Sequence, residues 1–109
     1  MALLGELEQQ VMAVLWERDA AASVRDVHEQ LAAERELAYT TVMTVLDRLA
    51  KKGIVRRELG GRAWLYRPAK TCVELHVDEI VGLLGACGPA GRAMIWARVT
   101  EQLALQSAG

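Results

Sequence analysis

The sequence lacks the features that mark secreted and membrane proteins. It contains only two cysteines, Cys72 and Cys87, which are too few for a disulfide framework. No apolar run reaches the roughly 18 residues that a bilayer span requires, and the first residues lack the basic segment and apolar stretch of a signal peptide. These absences exclude a disulfide-stabilised scaffold and predict a cytoplasmic protein with no membrane partner.

Signatures of enzymes are absent as well. The chain has no nucleophile elbow, no phosphate-binding loop and no paired carboxylates in a recognisable catalytic frame. We therefore predict that the protein is not an enzyme and needs no cofactor. Hydrophobic residues form 52% and charged residues 25% of the 109 residues, a balance typical of a folded domain with one core and one accessory element.

The overall net charge of -1 conceals an uneven distribution. Residues 1–34 carry a net charge of -5 and residues 71–109 a net charge of -2. Between positions 35 and 70, nine Lys and Arg residues face three Asp and Glu residues, which gives +6. A local basic excess of this kind is typical of proteins that bind nucleic acid.

Apolar residues recur at helical spacing in three segments before residue 54. The first segment runs from Leu4 to Leu15. The second begins at Ser23, which lies three residues before Asp26 as in a capping box. The third, residues 40–52, ends before Gly53, a residue suited to the left-handed cap position. Each segment is predicted to form an amphipathic helix.

Two short runs rich in β-branched, aromatic and aliphatic residues follow, at positions 54–59 and 62–67. Gly60 and Gly61 separate them, and a Gly-Gly pair at this spacing predicts a hairpin with a type I′ turn in which both glycines take positive φ. Pro68 closes the second strand. Three helices followed by a hairpin predict a winged helix-turn-helix, in which the third helix enters the major groove and the hairpin forms the wing.

The exposed face of the third helix carries short hydroxyls and basic groups but no bulky apolar side chain. Threonine can offer a hydroxyl and a methyl group to base edges, and arginine can bind guanine or phosphate. Arginines on the wing would supply the phosphate contacts that make affinity salt-dependent. We predict that the residues that bind double-stranded DNA are Thr40, Thr41, Thr44, Arg48, Lys51, Arg56 and Arg62.

Trp64 and Tyr66 lie two residues apart on the second strand and so share one of its faces. Aromatic side chains on such a face can stack on single-stranded bases. In a domain of this size, packing beneath the wing is the favoured interpretation.

Two further amphipathic helices are predicted after the wing, over residues 71–84 and 91–105, with a break between Gly85 and Gly91 and a frayed tail. Helices this short and apolar are not stable alone, and a second copy of the chain could cover them in a two-fold dimer. The alternative is that these helices fold back on their own winged domain. The predicted homodimer interface comprises Val73, Val77, Ile80, Val81, Leu84, Ile95, Val99 and Leu103.

The predicted fold class is therefore mainly α (α+β). A winged-helix DNA-binding domain occupies residues 1–70, and a helical dimerisation region occupies residues 71–109. The function that these features predict is that of a dimeric DNA-binding protein.

Four segments of the sequence resemble the penicillinase repressor family, over about the first 70 residues. They are LGELEQQVMAVLW (Leu4 to Trp16), VRDVHEQL (Val24 to Leu31), AYTTVMTVLDRLAKKG (Ala38 to Gly53) and GGRAWLYRP (Gly60 to Pro68). The resemblance implies a homodimer that binds dyad operators with TACA and TGTA half-sites and represses genes for antibiotic resistance or metal handling. By matching position, it implies that Thr40, Thr41 and Thr44 face the bases and that Arg62 lies on the wing.

Two departures from the family leave the release of repression open. Antibiotic-responsive members are cut at an Asn-Phe bond in the dimer module, and this sequence contains neither residue. Copper-responsive members carry Cys-x-Cys motifs near the C-terminus, which are also absent here. Neither route of derepression is therefore predicted for this chain, and the inducing signal, the operator and the regulated genes stay open.

Two alternative functions follow from other residues. Cys72 and His76 lie four residues apart on a predicted helix, with Glu79 one turn further, so this chain could be a metal- or thiol-responsive repressor. The interpretation favoured here is that no metal is bound, because the close ligand pairs of a dedicated site are missing. The second alternative is a protein-interaction module whose basic face docks an acidic partner without DNA.

Overall fold

The computed structural model describes residues 4–108. Their elements, in chain order, are α1 (Glu6–Glu17), β1 (Ala22–Ser23), α2 (Val24–Ala32), α3 (Tyr39–Lys51), β2 (Val55–Gly60), β3 (Ala63–Pro68), α4 (Cys72–Leu84), a 3₁₀ turn (Gly85–Cys87) and α5 (Gly88–Ala108). The strands are antiparallel and lie in the order β1, β3, β2. Three helices followed by a hairpin confirm the predicted winged-helix fold.

The chain divides into two compact units, one ending at Leu75 and the other beginning at His76. We call the first the winged unit and the second the C-terminal unit. The core of the winged unit is aliphatic because α1, α2 and α3 each bury one apolar face. Tyr66 and Val55, each 3% exposed, contribute to the same core from the sheet. Its largest fully buried side chains are Met12, Leu15, Leu46, Leu49, Val11, Val27 and Val42.

Two predicted helix boundaries are confirmed by their hydrogen bonds and dihedral angles. Ser23 Oγ accepts the N–H of Asp26 at 3.1 Å, and the N–H of Ser23 donates to Asp26 Oδ2 at 3.0 Å, which completes a capping box. Gly53 follows α3 with φ of 77°, in the left-handed region that a side chain disfavours. α3 begins at Tyr39, one residue before the predicted start.

The tip of the wing differs from the predicted turn. Gly60 pairs with Ala63, so the turn is centred on Gly61 and Arg62. Gly61 has φ of 72°, whereas Gly60 does not take positive φ, and the predicted type I′ turn at Gly60 and Gly61 is wrong. The reason is that strand pairing continues through Gly60 and Ala63, which leaves Gly61 and Arg62 as the two turn residues. A Cβ at Gly60 would lie 2.3 Å from Leu65 Cδ1, so Leu65 occupies the space that a side chain there would need.

The sheet contains a third strand that the sequence pattern does not predict. β1 pairs with β3 through Ala22 opposite Tyr66 and Ser23 opposite Leu65. A two-residue strand is too short to show the alternation that identifies strands. Because Ser23 is also the N-cap of α2, the sheet is joined directly to the start of that helix.

The segment that leaves the wing is tied to the winged unit by backbone contacts. The N–H of Ala69 donates to the carbonyl of Ile54 at 2.8 Å. Trp16 Nε1 donates to the carbonyl of Lys70 at 3.0 Å. Leu75, 5% exposed, belongs to the hydrophobic core. The first turn of α4 is therefore part of the winged unit.

The C-terminal unit contains the rest of α4, the 3₁₀ turn and α5. Gly88, with φ of 75°, separates the turn from α5. α5 begins at Gly88 and continues to Ala108, so the predicted break up to Gly91 is too long and the predicted frayed tail is wrong. Pro89 does not break the helix because the first helical turn leaves its N–H groups without helical partners in any case.

The helices from Cys72 onward expose many large apolar side chains. These residues are Val73, Val77, Ile80, Val81, Leu83, Met94, Trp96, Val99, Leu103 and Leu105. The helical stretch Cys72–Ala108 is long and apolar enough to cross a membrane by length and composition. This criterion admits up to two charged residues in a stretch of 18, so it is met even though the sequence has no uninterrupted apolar run of that length. Length and composition do not distinguish a membrane span from a helix that packs against protein.

Candidate nucleic-acid interface

α3 presents a polar face to solvent because most of its apolar residues lie on the opposite side. Tyr39 and Met43 are exceptions, 46% and 44% exposed, because helical spacing places them at the edge between the two faces. The prediction that the exposed face carries no bulky apolar side chain is therefore wrong. At 3.6 residues per turn, Thr40, Thr44, Asp47 and Lys51 form a stripe facing away from the buried Leu49. Thr41 and Arg48 lie beside this stripe. The structure thus brings together the five residues predicted on this helix, all of them exposed: Thr40, Thr41, Thr44, Arg48 and Lys51.

The hydroxyl of Thr44 is already engaged within the helix. Thr44 Oγ1 donates to the carbonyl of Thr40 at 2.9 Å, a bond from a helical Thr to the fourth residue before it. The hydroxyl hydrogen is therefore used, while the oxygen can still accept and the methyl group is free to make apolar contacts. Thr44 is suited to contact a hydrogen-bond donor or a thymine methyl on a base edge.

The N-terminal end of α1 forms one wall of an open groove beside this face. The groove has a volume of about 520 Å³ and is lined by Gly5, Glu6, Leu7, Glu8, Thr40, Thr41, Thr44, Val45 and Arg48. Four of the predicted DNA-binding residues therefore share one concave surface.

Asp47, in the middle of the polar stripe, is paired with two cations. Lys51 Nζ lies 3.0 Å from Asp47 Oδ2, and Arg57 Nη1 donates to Asp47 Oδ1 at 3.1 Å. The hydrogen bond from Lys51 lowers the pKa of the Asp47 carboxyl, and desolvation opposes this only in part. The charges of Lys51 and Arg57 lower the pKa further. Lys51, predicted to contact DNA, is held by Asp47 in the structure.

Arg57 connects the wing to α3. Its guanidinium carbon lies 4.8 Å from the centroid of the Trp64 ring, while its Nη1 reaches Asp47. The prediction that both strand aromatics pack beneath the wing is confirmed for Tyr66, which is 3% exposed, but Trp64 is 43% exposed. The list of predicted DNA-binding residues did not include Asp47 or Trp64, and Arg57 was expected, as a wing arginine, to contact phosphate and not Asp47. Alternation from the buried Val55 places Arg57 on the inner face of β2, and this signal was available in the sequence.

The remaining predicted wing residues lie on other parts of the hairpin. Arg56 is exposed and alternates with Val55, so it lies on the outer face of β2. Arg67 and Glu58 form an ion pair of 3.3 Å on that outer face. Arg62 is exposed within the turn at the tip of the wing. Arg56 and Arg62 therefore belong to a different surface of the wing from Arg57.

A buried carboxylate anchors the C-terminal end of α3. Glu8 of α1 is 8% exposed and lies 2.9 Å from Lys52 Nζ, and it also accepts the N–H of Gly5 at 3.0 Å. Burial raises the pKa of the Glu8 carboxyl, but the hydrogen bonds from Gly5 and Lys52 and the charges of Lys52 and Arg48 together lower it below its ordinary value. At helical spacing Glu8 lies on the same face as the buried Val11, Met12 and Leu15. Its ion pair with Lys52 supplies the partner that a carboxylate on this buried face requires.

Comparison with known proteins identifies the family. A family model described as Penicillinase repressor matches residues 4–106. The chain belongs to the penicillinase repressor family. The match extends through the C-terminal helices, so the prediction that the resemblance covers about the first 70 residues is too narrow.

Related proteins of the penicillinase repressor family include a transcriptional regulator, BlaI, of Mycobacterium tuberculosis (strain CDC 1551 / Oshkosh). The two chains are 48% identical over 88 residues, which cover 81% of this chain and 64% of the relative. The chain thus matches slightly less than two thirds of that relative's length. Two solved structures of BlaI repressors are also similar to the fold described here.

The first is the monomeric form of BlaI from Bacillus licheniformis in complex with the blaP half-operator. It is 26% identical with a TM-score of 0.57, and the match covers 67% of this chain and 88% of that one. The second is the DNA-binding domain of a BlaI repressor, 29% identical with a TM-score of 0.55, covering 60% of this chain and 78% of that one. This is a family of transcriptional repressors and not of enzymes.

The cysteine and histidine residues of this repressor-family chain are not assembled into a metal site. Cys72 and His76 both lie on α4 and Cys87 lies in the 3₁₀ turn, with both cysteines exposed. Within residues 4–108, no group of three or more His, Cys, Asp or Glu side chains is placed to hold a metal ion. The structure therefore gives no support to the metal-sensor alternative.

Proposed function

We propose that this chain is a homodimeric transcriptional repressor that binds a dyad operator through α3 and the wing. The observation that carries this proposal is the exposed polar face of α3, where three threonines and Arg48 lie together opposite the aliphatic core. Membership of the penicillinase repressor family supports it. The similar B. licheniformis repressor, solved with a half-operator, supports it as well.

The roles of the residues follow from their positions. Thr40, Thr41 and Thr44 would contact base edges, because short side chains on the exposed face allow α3 to approach the floor of the major groove. Arg48, beside them, would bind guanine or a phosphate. Lys51, Arg56 and Arg62 would contact phosphates, which supply most of the affinity and none of the sequence information directly.

The dimer would form through the apolar surface of the C-terminal helices. Apolar side chains exposed in such numbers mark an interaction surface, and a second copy of the chain would cover them while providing two-fold symmetry for a dyad. The interface residues in this proposal are Val73, Val77, Ile80, Val81, Leu84, Ile95, Val99 and Leu103. Burial between two protomers would account for the apolar composition of Cys72–Ala108 without insertion into lipid. The protein would act in the cytoplasm.

Binding to labelled duplexes tests the proposal. The full chain is titrated against a duplex with TACA and TGTA half-sites on a dyad, and anisotropy is recorded at several salt concentrations. We expect affinity to fall steeply between about 50 and 200 mM salt. Together, Arg48→Ala and Arg62→Ala should weaken binding about 100-fold, because loss of a base contact at Arg48 costs roughly 1–3 kcal/mol and loss of the phosphate contact at Arg62 weakens binding further.

Arg35→Ala is the matched control for these substitutions. Arg35 donates to Gln10 at 3.0 Å in a separate groove between α1 and α2, so its loss should leave affinity within about twofold, in line with surface substitutions elsewhere. Val81→Glu, on a side chain 60% exposed, should convert the dimer to a monomer in light scattering. Unchanged affinity after loss of both arginines would refute the binding mode, and a native chain that is monomeric would refute the dimer.

A further inference from the structure

Asp47 places a carboxylate in the centre of the surface proposed to face DNA. An unpaired negative charge there would repel the phosphate backbone, since like charges close together are unfavourable. In the structure the carboxylate bridges two cations from different elements, Lys51 on α3 itself and Arg57 on β2. The pair with Arg57 connects the recognition helix to the wing.

Arg57 is held on two sides. Its guanidinium donates to Asp47 Oδ1 at 3.1 Å and lies over the Trp64 ring at 4.8 Å. Leu59 and Trp64 are directly opposite each other, and Arg57 is opposite Tyr66, so Arg57 and Trp64 are diagonal neighbours on the inner face of the hairpin. A planar guanidinium suits this position because it can stack on a ring and direct its N–H groups sideways to a carboxylate.

We propose that Asp47, Arg57 and Trp64 form a brace that fixes the wing relative to the recognition helix. Asp47 is then a positioning residue for DNA binding, and it determines how well both elements engage one operator at once. This inference rests on the proposed function, because it concerns the same DNA-binding surface. It also assigns Arg57 to positioning, in contrast to the phosphate contacts proposed for Arg56 and Arg62.

The exposure of the brace indicates a role in geometry more than in stability. The side chains of Asp47 and Arg57 are 40% and 38% exposed, and ion pairs at such positions contribute little to folding. Holding two binding elements in the bound arrangement instead lowers the entropy lost on binding. Loss of the brace should therefore appear in operator affinity and discrimination while the fold is retained.

The test compares two isosteric substitutions that each remove one negative charge. Asp47→Asn breaks the brace, whereas Glu58→Gln breaks only the ion pair with Arg67 on the outer face of the wing. Both variants of the full chain are titrated against the TACA and TGTA dyad duplex and against an unrelated duplex of equal length. Spectra of the free proteins report the Trp64 indole resonance by nuclear magnetic resonance.

We expect Asp47→Asn to bind the dyad duplex about five- to tenfold more weakly than Glu58→Gln, the size of coupling between contacting residues. Discrimination against the unrelated duplex should fall by a similar factor, and the Trp64 resonance should shift only in Asp47→Asn. Asp47→Glu, which retains the charge, should restore part of the affinity. In a double-mutant cycle with Arg57→Gln, the two losses should be less than additive.

Equal affinity and equal discrimination of Asp47→Asn and Glu58→Gln would overturn the brace while leaving the proposed repressor intact. Additive losses in the cycle would also overturn it. Failure of the native chain to bind either duplex would overturn the proposed function and the brace together. A shifted Trp64 resonance with unchanged binding would show that the contact exists but does not position the wing, and would refute the inference.

Discussion

The ion pair between Glu8 and Lys52 offers a test of how α3 is held in place. In Glu8→Gln the amide oxygen can still accept the N–H of Gly5, but the charge that attracts Lys52 Nζ at 2.9 Å is lost. Hydrogen bonds to charged groups contribute about 1.5–3 kcal/mol to stability. Because the Lys52 side chain is 37% exposed, solvent hydrates the released ammonium, and we expect a loss near the lower end, about 1.5–2 kcal/mol.

The same substitution has a defined pH dependence. The pKa of Glu8 is lowered in the folded protein, so its contribution is fully present above the unfolded carboxyl value of about 4.3 and is lost as the pH falls through the folded-state pKa. Protonated Glu8 resembles glutamine in charge. The difference in unfolding free energy between the native chain and Glu8→Gln should therefore shrink as the pH falls below the unfolded carboxyl value and through the folded-state pKa.

Urea denaturation followed by tryptophan fluorescence at pH 7 and near pH 3 measures this difference. Equal protein concentrations are required because assembly shifts apparent stability. Glu29→Gln is the control, since Glu29 forms an exposed i,i+4 pair with Arg25 and should cost only about 0.3–0.5 kcal/mol. An effect of Glu8→Gln no larger than that of Glu29→Gln, or one that is constant with pH, would refute the reasoning.

Two further predictions concern the junction and the wing. Leu75→Ala should lower the unfolding free energy of the winged unit by about 2–4 kcal/mol, because Leu75 is 5% exposed in the core, whereas Leu59→Ala, at a side chain 64% exposed, should change it by less than about 0.5 kcal/mol. Similar urea midpoints for the two variants would contradict this. Gly60→Ala should cost about 1–3 kcal/mol through overpacking against Leu65, and a thermal unfolding midpoint equal to that of the native chain would show that Leu65 moves aside freely.

The helices of the winged unit could be predicted because their signals are local. Apolar periodicity defines the buried faces of α2 and α3, and the Ser23 capping box and Gly53 define two of their ends. The turn at the wing could not be predicted, because Gly60 and Gly61 fit more than one register. The pairing of Gly60 with Ala63 decides between them, and that pairing depends on the register of the two whole strands.

The polar face of α3 could likewise be derived from the sequence, whereas its connections could not. Thr40, Thr44 and Arg48 follow from helical spacing alone. The contact between Asp47 and Arg57 joins residues ten positions apart on different elements, and the lysine that pairs with Glu8 is 44 positions away. Both depend on tertiary packing, about which local periodicity carries no information.

The bonds that tie the chain after the wing have a consequence for operator spacing. Ala69 and Lys70 each form a hydrogen bond with the winged unit, and Leu75 is buried in its core. This stretch is therefore not a flexible linker between the DNA-binding surface and the proposed dimer interface. In the proposed dimer, an extra base pair between half-sites would have to be accommodated beyond Leu75 or by twisting the DNA. The protein would then measure the distance between half-sites as well as their sequence.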